Sequence, residues 1–232
     1  MKKYPTSQTR VFAGLIVITV ILLLFDLELG IPLVFFLVLA GRHVITTKIQ
    51  VTVKTYVGAF IAFCCVLVAA FWSHSCTLHL GDSWGILAGI GTGVVFVVLR
   101  YRDITLFFDE QFLRSPPAIP SSVIVRSIAG VAGAAVFQEI FFRGYLMCAF
   151  SDYGLYSIVI ASILFCLDHF LMWRSQKAYT GKDYVYFFLL SCALGIIYYF
   201  TGSLIGCIIG HAVVNSPRIV WLVLKYRYQS EQ

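Results

Sequence analysis

Charge is what this sequence has least of. Asp, Glu, Lys and Arg together make up 12% of the 232 residues, against 60% hydrophobic ones. A soluble domain cannot bury that much apolar surface, so the composition excludes an ordinary water-soluble globule. Long polar inserts are missing as well, and so is any cleavable signal pattern. The first apolar run, VFAGLIVITVILLLF, follows Lys2, Lys3 and Arg10 and leads to no small-residue cleavage site, so it reads as a retained span. There is no HExxH pair and no paired cysteine clusters at zinc spacing. The small-residue run GILAGIGTGVVF (85–96) follows no strand, which excludes a nucleotide loop and leaves close helix packing as its reading. Prenylation and retrieval signals at the C-terminus are absent too.

What is present is apolar runs of spanning length. Eight can be drawn, at about 11–25, 29–45, 52–72, 84–99, 119–148, 154–173, 184–200 and 203–224. The expected fold is an all-α polytopic integral membrane protein of about eight transmembrane helices, a single domain over 1–232. Lys and Arg fall in every second linker. They occupy the N-terminus, 42–54, 100–114, 174–182 and the C-terminus, whereas 26–30, 73–83, 150–153 and 201–202 hold none. That alternation places both termini in the cytoplasm. It also accounts for the net charge of +6 without nucleic acid. The stretch 102–122 is amphipathic and then broken by prolines, which suits the cytoplasmic interface. The seven cysteines form no framework and read as small buried thiols, with HSCTLH (74–79) a weak candidate for metal.

The few polar groups inside spans therefore stand out, because each costs several kcal/mol unless paired or hydrated. They are Gln138, Glu139 and Arg143 in span five, Asp168 and His169 in span six, and His211, Asn215 and Arg218 in span eight. Glu139 and Arg143 are four apart, the spacing of an intrahelical ion pair. His211, Asn215 and Arg218 make one stripe. Gly130, Ala134, Gln138 and Phe142 make another, whose small members leave room beside Gln138. Asp168 and Arg218 can pair with each other. Alternatively, Arg218 reaches to the cytoplasmic interface or binds a substrate carboxylate.

Three motifs now carry a resemblance. QEIFFR (138–143) resembles the EExxxR motif of the CAAX protease and bacteriocin-processing (CPBP, or Abi) family of glutamic-type intramembrane endopeptidases. FCLDH (165–169) resembles its FxxxH motif, and HAVVN (211–215) its HxxxN motif. They come in the family's order on separate spans, within a core of 119–216. The resemblance implies cleavage of a hydrophobic or lipid-modified segment of a membrane-associated protein, with no cofactor or metal. It assigns water activation to positions 138 and 169, an oxyanion hole to His211 and Asn215, and support to Glu139 and Arg143. Phe165 would pack the site wall. The short chain is prokaryotic in style and favours the plasma membrane, with membrane lipids around it.

The departure from the family is Gln138. A carboxamide has nearly the shape of a carboxylate but cannot take a proton from water. Three explanations stay open: the chain is not a protease, Glu139 has taken over the role, or Gln replaced Glu artificially. The expectation is a silenced endopeptidase. The alternatives are a non-catalytic scaffold that binds another membrane protein, and a metal-dependent protease or ion transporter built on His169, His211 and Glu139.

Overall fold

The computed structural model describes residues 6–48, 64, 67–74, 76–105, 108–114, 119–171 and 179–230. Among these, regular structure is helical and no strand occurs. In chain order the helices are α1 (Thr6–Phe25), α2 (Leu27–Lys48), α3 (Ser83–Leu99), α4 (Tyr101–Thr105), α5 (Glu110–Arg114), α6 (Ser121–Glu139), α7 (Tyr156–Leu171), α8 (Gly181–Thr201) and α9 (Leu204–Ser230). Helix is the expected answer to such a composition, since an apolar surrounding leaves backbone groups only each other as partners. Ser121–Ala149, Gly181–Thr201 and Leu204–Gln229 are long and apolar enough to cross a membrane. Arg10–Phe25, Leu27–Val38, Ser83–Leu99 and Tyr156–Leu171 are shorter apolar helices. The segment 52–72, read as a third span, lies for the most part outside the described residues, as do Cys65, Arg174, Lys177 and residues 115–118.

The chain divides into two compact units. One comprises Met1–Thr77 and Gly144–Cys192, the other Leu78–Arg143 and Ala193–Gln232.

In the first unit α1 packs on α2, and α7 packs on both. The break between α1 and α2 falls at Asp26, whose carboxylate accepts a hydrogen bond from the Leu29 amide at 3.2 Å and so opens α2. Tyr145 is fully buried, with Phe35 and Phe71 against its ring and its hydroxyl 3.2 Å from Nδ1 of His74. Beside it Cys76 and Cys148 form a disulfide, their Cα atoms 6.0 Å apart. This corrects the reading of the cysteines as free thiols throughout. The two partners are 72 residues apart, and nothing in their local sequence marks them as a pair. Cys64, Cys166, Cys192 and Cys207 are free.

The second unit is organised around α9, which packs against α3, α5 and α6. The α3–α9 contact is backbone on backbone. A Cβ at Gly89 would run into the Gly206 carbonyl, one at Gly206 into the Gly85 carbonyl, and one at Gly93 would come 2.6 Å from the Gly210 oxygen. The spacing of four in GILAGIGTG puts Gly85, Gly89 and Gly93 on one helix face, and this is the close packing expected from it. Asp82 caps α3 by accepting from the Gly85 amide at 2.8 Å. Just before it, Gly81 has φ +84°, which an L side chain rarely adopts, and stacks directly on Ser203. In α9, Pro217 cannot supply the N–H that Val213 would normally accept. The Ser216 hydroxyl bonds that carbonyl at 2.7 Å instead, and the helix continues to Ser230. Lower down, Leu113 of α5 is buried, Phe112 stacks on Trp221 with centroids 6.1 Å apart, and the Arg114 guanidinium lies over Tyr228. The amphipathic stretch after span four is thus two short helices, the second of them docked on α9.

Candidate functional site

Two polar side chains of the second unit meet at Glu139. This residue ends α6, and the chain then runs on through a wider π-type turn, Ile140–Leu146, before Met147–Ala149 returns to α geometry. Turns of this type recur at functional sites. The pair expected from the spacing of four is present: Arg143 Nη1 lies 2.9 Å from Oε2 and 3.1 Å from Oε1 of Glu139. A second partner arrives from α9. His211 Nδ1 sits 2.7 Å from Oε1 of the same carboxylate. All three side chains are buried, Glu139 at 0%, Arg143 at 1% and His211 at 5% exposure.

Such burial is tolerable only because the charges are matched. One carboxylate faces one permanent cation and one imidazole, and each contact is at hydrogen-bonding distance. Removing either charged partner would strand the other away from water, at a cost of about 3–5 kcal/mol.

Asn215 lies one turn beyond His211 on α9 and is half-buried. Its amide donates to the Val131 carbonyl of α6 at 3.4 Å. Both side chains of the HAVVN stretch therefore reach toward α6. Gln138, adjacent to Glu139, is buried at 3% exposure. Arg218 departs from its stripe: it follows Pro217 and is exposed. Gly130 faces open space, with nothing within 4 Å of where its Cβ would be.

Phe165, Asp168 and His169 are on α7, in the first unit. Phe165 and Asp168 are buried. His169 Nδ1 donates to the Phe165 carbonyl at 2.9 Å, and its ring lies between Phe165 and Phe187, each centroid 4.5 Å away. A carbonyl only accepts, so the proton of this bond is on Nδ1. Tyr179 adds a tilted ring contact at 6.4 Å. Among the described residues no three His, Cys, Asp or Glu side chains gather as metal ligands, and HSCTLH supplies none.

The comparison with protein families bears on this stretch. Residues 120–217 match the Rce1-like family model. Its full description is type II CAAX prenyl endopeptidase Rce1-like. No curated protein and no solved structure matches the chain. The Rce1-like stretch opens at Pro120, the residue preceding α6, and closes at Pro217 within α9. It holds QEIFFR, FCLDH and HAVVN entire. The match and the apolar helices together make this an integral membrane protein similar to a family of proteases.

Sequence reasoning named Glu139 and His211 but not the bond between them. It gave His211 to an oxyanion and Glu139 to Arg143 alone. Their separation of 72 residues puts the contact beyond any local periodicity.

Proposed function

We propose that the chain is built as an intramembrane endopeptidase of CAAX type that cuts a hydrophobic or lipid-modified segment of a membrane-associated protein. One observation carries the reading: the buried cluster of Glu139, Arg143 and His211 lies inside the stretch that matches the Rce1-like family. By that resemblance position 138 and His169 activate water, His211 and Asn215 receive the oxyanion, Glu139 and Arg143 support the site, and Phe165 lines it. The bond from Nδ1 to the Phe165 carbonyl orients the His169 ring, which supports the first role. The amide of Gln138 closes the route through position 138, so turnover by that route is little or none.

The deciding experiment measures cleavage of hydrophobic and lipid-modified tail peptides by the purified chain and by Gln138→Glu. The Glu form should cut and the parent should barely do so. A folded Gln138→Glu protein that cuts none of them overturns the reading. Gln138 itself favours a second reading, a non-catalytic scaffold that holds a membrane protein. There Gln138→Glu changes no activity, and a stable complex survives purification.

The same proposal places the chain in a plasma membrane of prokaryotic type, with eight spans and both termini cytoplasmic. The disulfide supports this orientation. Cys76 and Cys148 lie in and beside the linkers that lack Lys and Arg, hence on the side away from the cytoplasm, where disulfides persist.

A further inference from the structure

Away from the Glu139 cluster, the first unit holds a cavity of about 220 Å³ between α1, α2 and α7. Its walls are apolar: Leu22 from α1, Leu29 and Leu33 from α2, Phe150, and Leu164 from α7. Phe150 and Leu164 are buried, whereas Ile163, which also lines the space, is half exposed, so the cavity opens to the surroundings of the helices. We infer that it binds one acyl chain of an amine-headed phospholipid, of which phosphatidylethanolamine is the simplest, with the headgroup over Glu28 and Asp152.

The chain follows from size and lining. An apolar cavity of about 150 Å³ stays dry and takes up benzene. A larger one with like walls takes hydrocarbon too, and around an integral membrane protein that hydrocarbon is lipid. A helix is about 10 Å across with its side chains, so a partner span could put only single side chains into this space.

The headgroup follows from charge. Leu22 precedes Asp26 by one turn, Leu29 directly follows Glu28, and Phe150 stands two residues before Asp152. No Lys or Arg lies in 26–30 or 150–153. Glu28 and Asp152 are exposed, and neither has an ion-pair partner among the described residues. Asp26 adds to the same field, though one of its oxygens is held by the Leu29 amide. Tyr153 and Tyr156 beside this rim are exposed, as aromatic residues are at the level of lipid headgroups. Carboxylates there repel a headgroup of net negative charge. An ammonium donates hydrogen bonds to them, which a quaternary choline cannot do.

The site has a consequence for α7. Leu164 is the chain neighbour of Phe165, and the same helix carries Asp168 and His169. A lipid chain seated on Leu164 fills space between α7 and the α1–α2 pair and so steadies the helix that bears FCLDH. By the topology proposed above, the lipid belongs to the leaflet away from the cytoplasm. The inference needs only a membrane protein and stands apart from the endopeptidase reading.

The test uses the full chain, stripped of lipid in detergent and then offered an equimolar mixture of phosphatidylethanolamine, phosphatidylcholine and phosphatidylglycerol with identical chains. Native mass spectrometry counts the lipid retained. The parent should keep one molecule per chain, with the ethanolamine lipid favoured about fivefold or more over each of the others. That lipid should also raise the parent's Tm. Glu28→Gln with Asp152→Asn should keep one lipid but lose the preference. Ile160→Trp puts an indole into the cavity and should abolish both retention and the rise in Tm. If that variant fails to fold, Ile163→Trp serves the same end. Retention that ignores the headgroup in the parent overturns the inference, as does retention unchanged by a folded cavity-filling variant. A parent that retains no lipid, whether as a monomer or as a dimer closed over this face, overturns it as well.

Discussion

Two alanine substitutions in α3, two residues apart, should act in opposite directions. At Gly89 the space for a Cβ is already filled by the Gly206 carbonyl, with the Gly206 carbon 2.5 Å and its Cα 2.9 Å away, whereas ordinary contact begins near 3.4 Å. A methyl group there forces α9 away from α3 by roughly the missing distance. Neither neighbour can yield by rotating a side chain, because both are backbone. Overpacking of this kind costs about 1–3 kcal/mol. Removing a helical glycine returns up to about 1 kcal/mol of propensity. Gly89→Ala should therefore be destabilising by roughly 1–2 kcal/mol, which for a chain of this size is a fall in Tm of about 2–8 °C. At Gly91 nothing lies within 4 Å of where a Cβ would sit. Gly91→Ala gains the propensity without the collision, and its Tm should match or exceed the parent's. Thermal unfolding of the three proteins in one detergent reads the contrast directly. Equal shifts at the two positions would refute the backbone seam.

Other predictions follow from single contacts. Reduction, or Cys76→Ser, opens a closure of 72 residues and should lower Tm. The random-chain limit is about 4 kcal/mol, and helices that persist in the unfolded state reduce it, so a change beyond that limit or none at all would contradict the closure. After reduction, Cys76 should react with a membrane-impermeant thiol reagent added from the side opposite the termini, and labelling from the cytoplasmic side alone would reverse the topology. Asp82→Ala removes the cap on Gly85 and should cost about 1 kcal/mol in the same melting assay, with Asp82→Ser recovering most of it. Ser216→Ala leaves the Val213 carbonyl beside Pro217 without its donor and should cost about 0.5–1.5 kcal/mol, while an unchanged melt would mean that water serves that carbonyl.

What the sequence made legible was whatever repeats within one helix. The spacing of four joined Glu139 to Arg143 and aligned Gly85, Gly89 and Gly93 on one face, and both relations hold in the structure. The three motifs all fall inside the Rce1-like stretch. What stayed hidden depends on distant segments meeting. Glu139 and His211 are 72 residues apart, as are Cys76 and Cys148, and apolar patterning cannot say which helix turns toward which. Arg218 shows the limit from the other side. Its stripe with His211 and Asn215 was drawn as for a regular helix, yet it lies past Pro217 and is exposed, while His211 is buried. The π-type turn after Glu139 has no residue signature at all, being a property of the hydrogen-bond ladder rather than of composition.

The glycine seam also bears on how accurately the cluster can be held. Gly210, which takes part in the seam, immediately precedes His211 in the chain. The main chain of α9 thus rests against α3 one residue from the imidazole that meets Glu139. Side-chain packing can be refilled after a mutation by other rotamers, but two main chains in contact have none to offer. The position of His211 is therefore fixed to the tolerance of a rigid stop, and drift in the surrounding apolar residues can be absorbed without altering the reach of its ring.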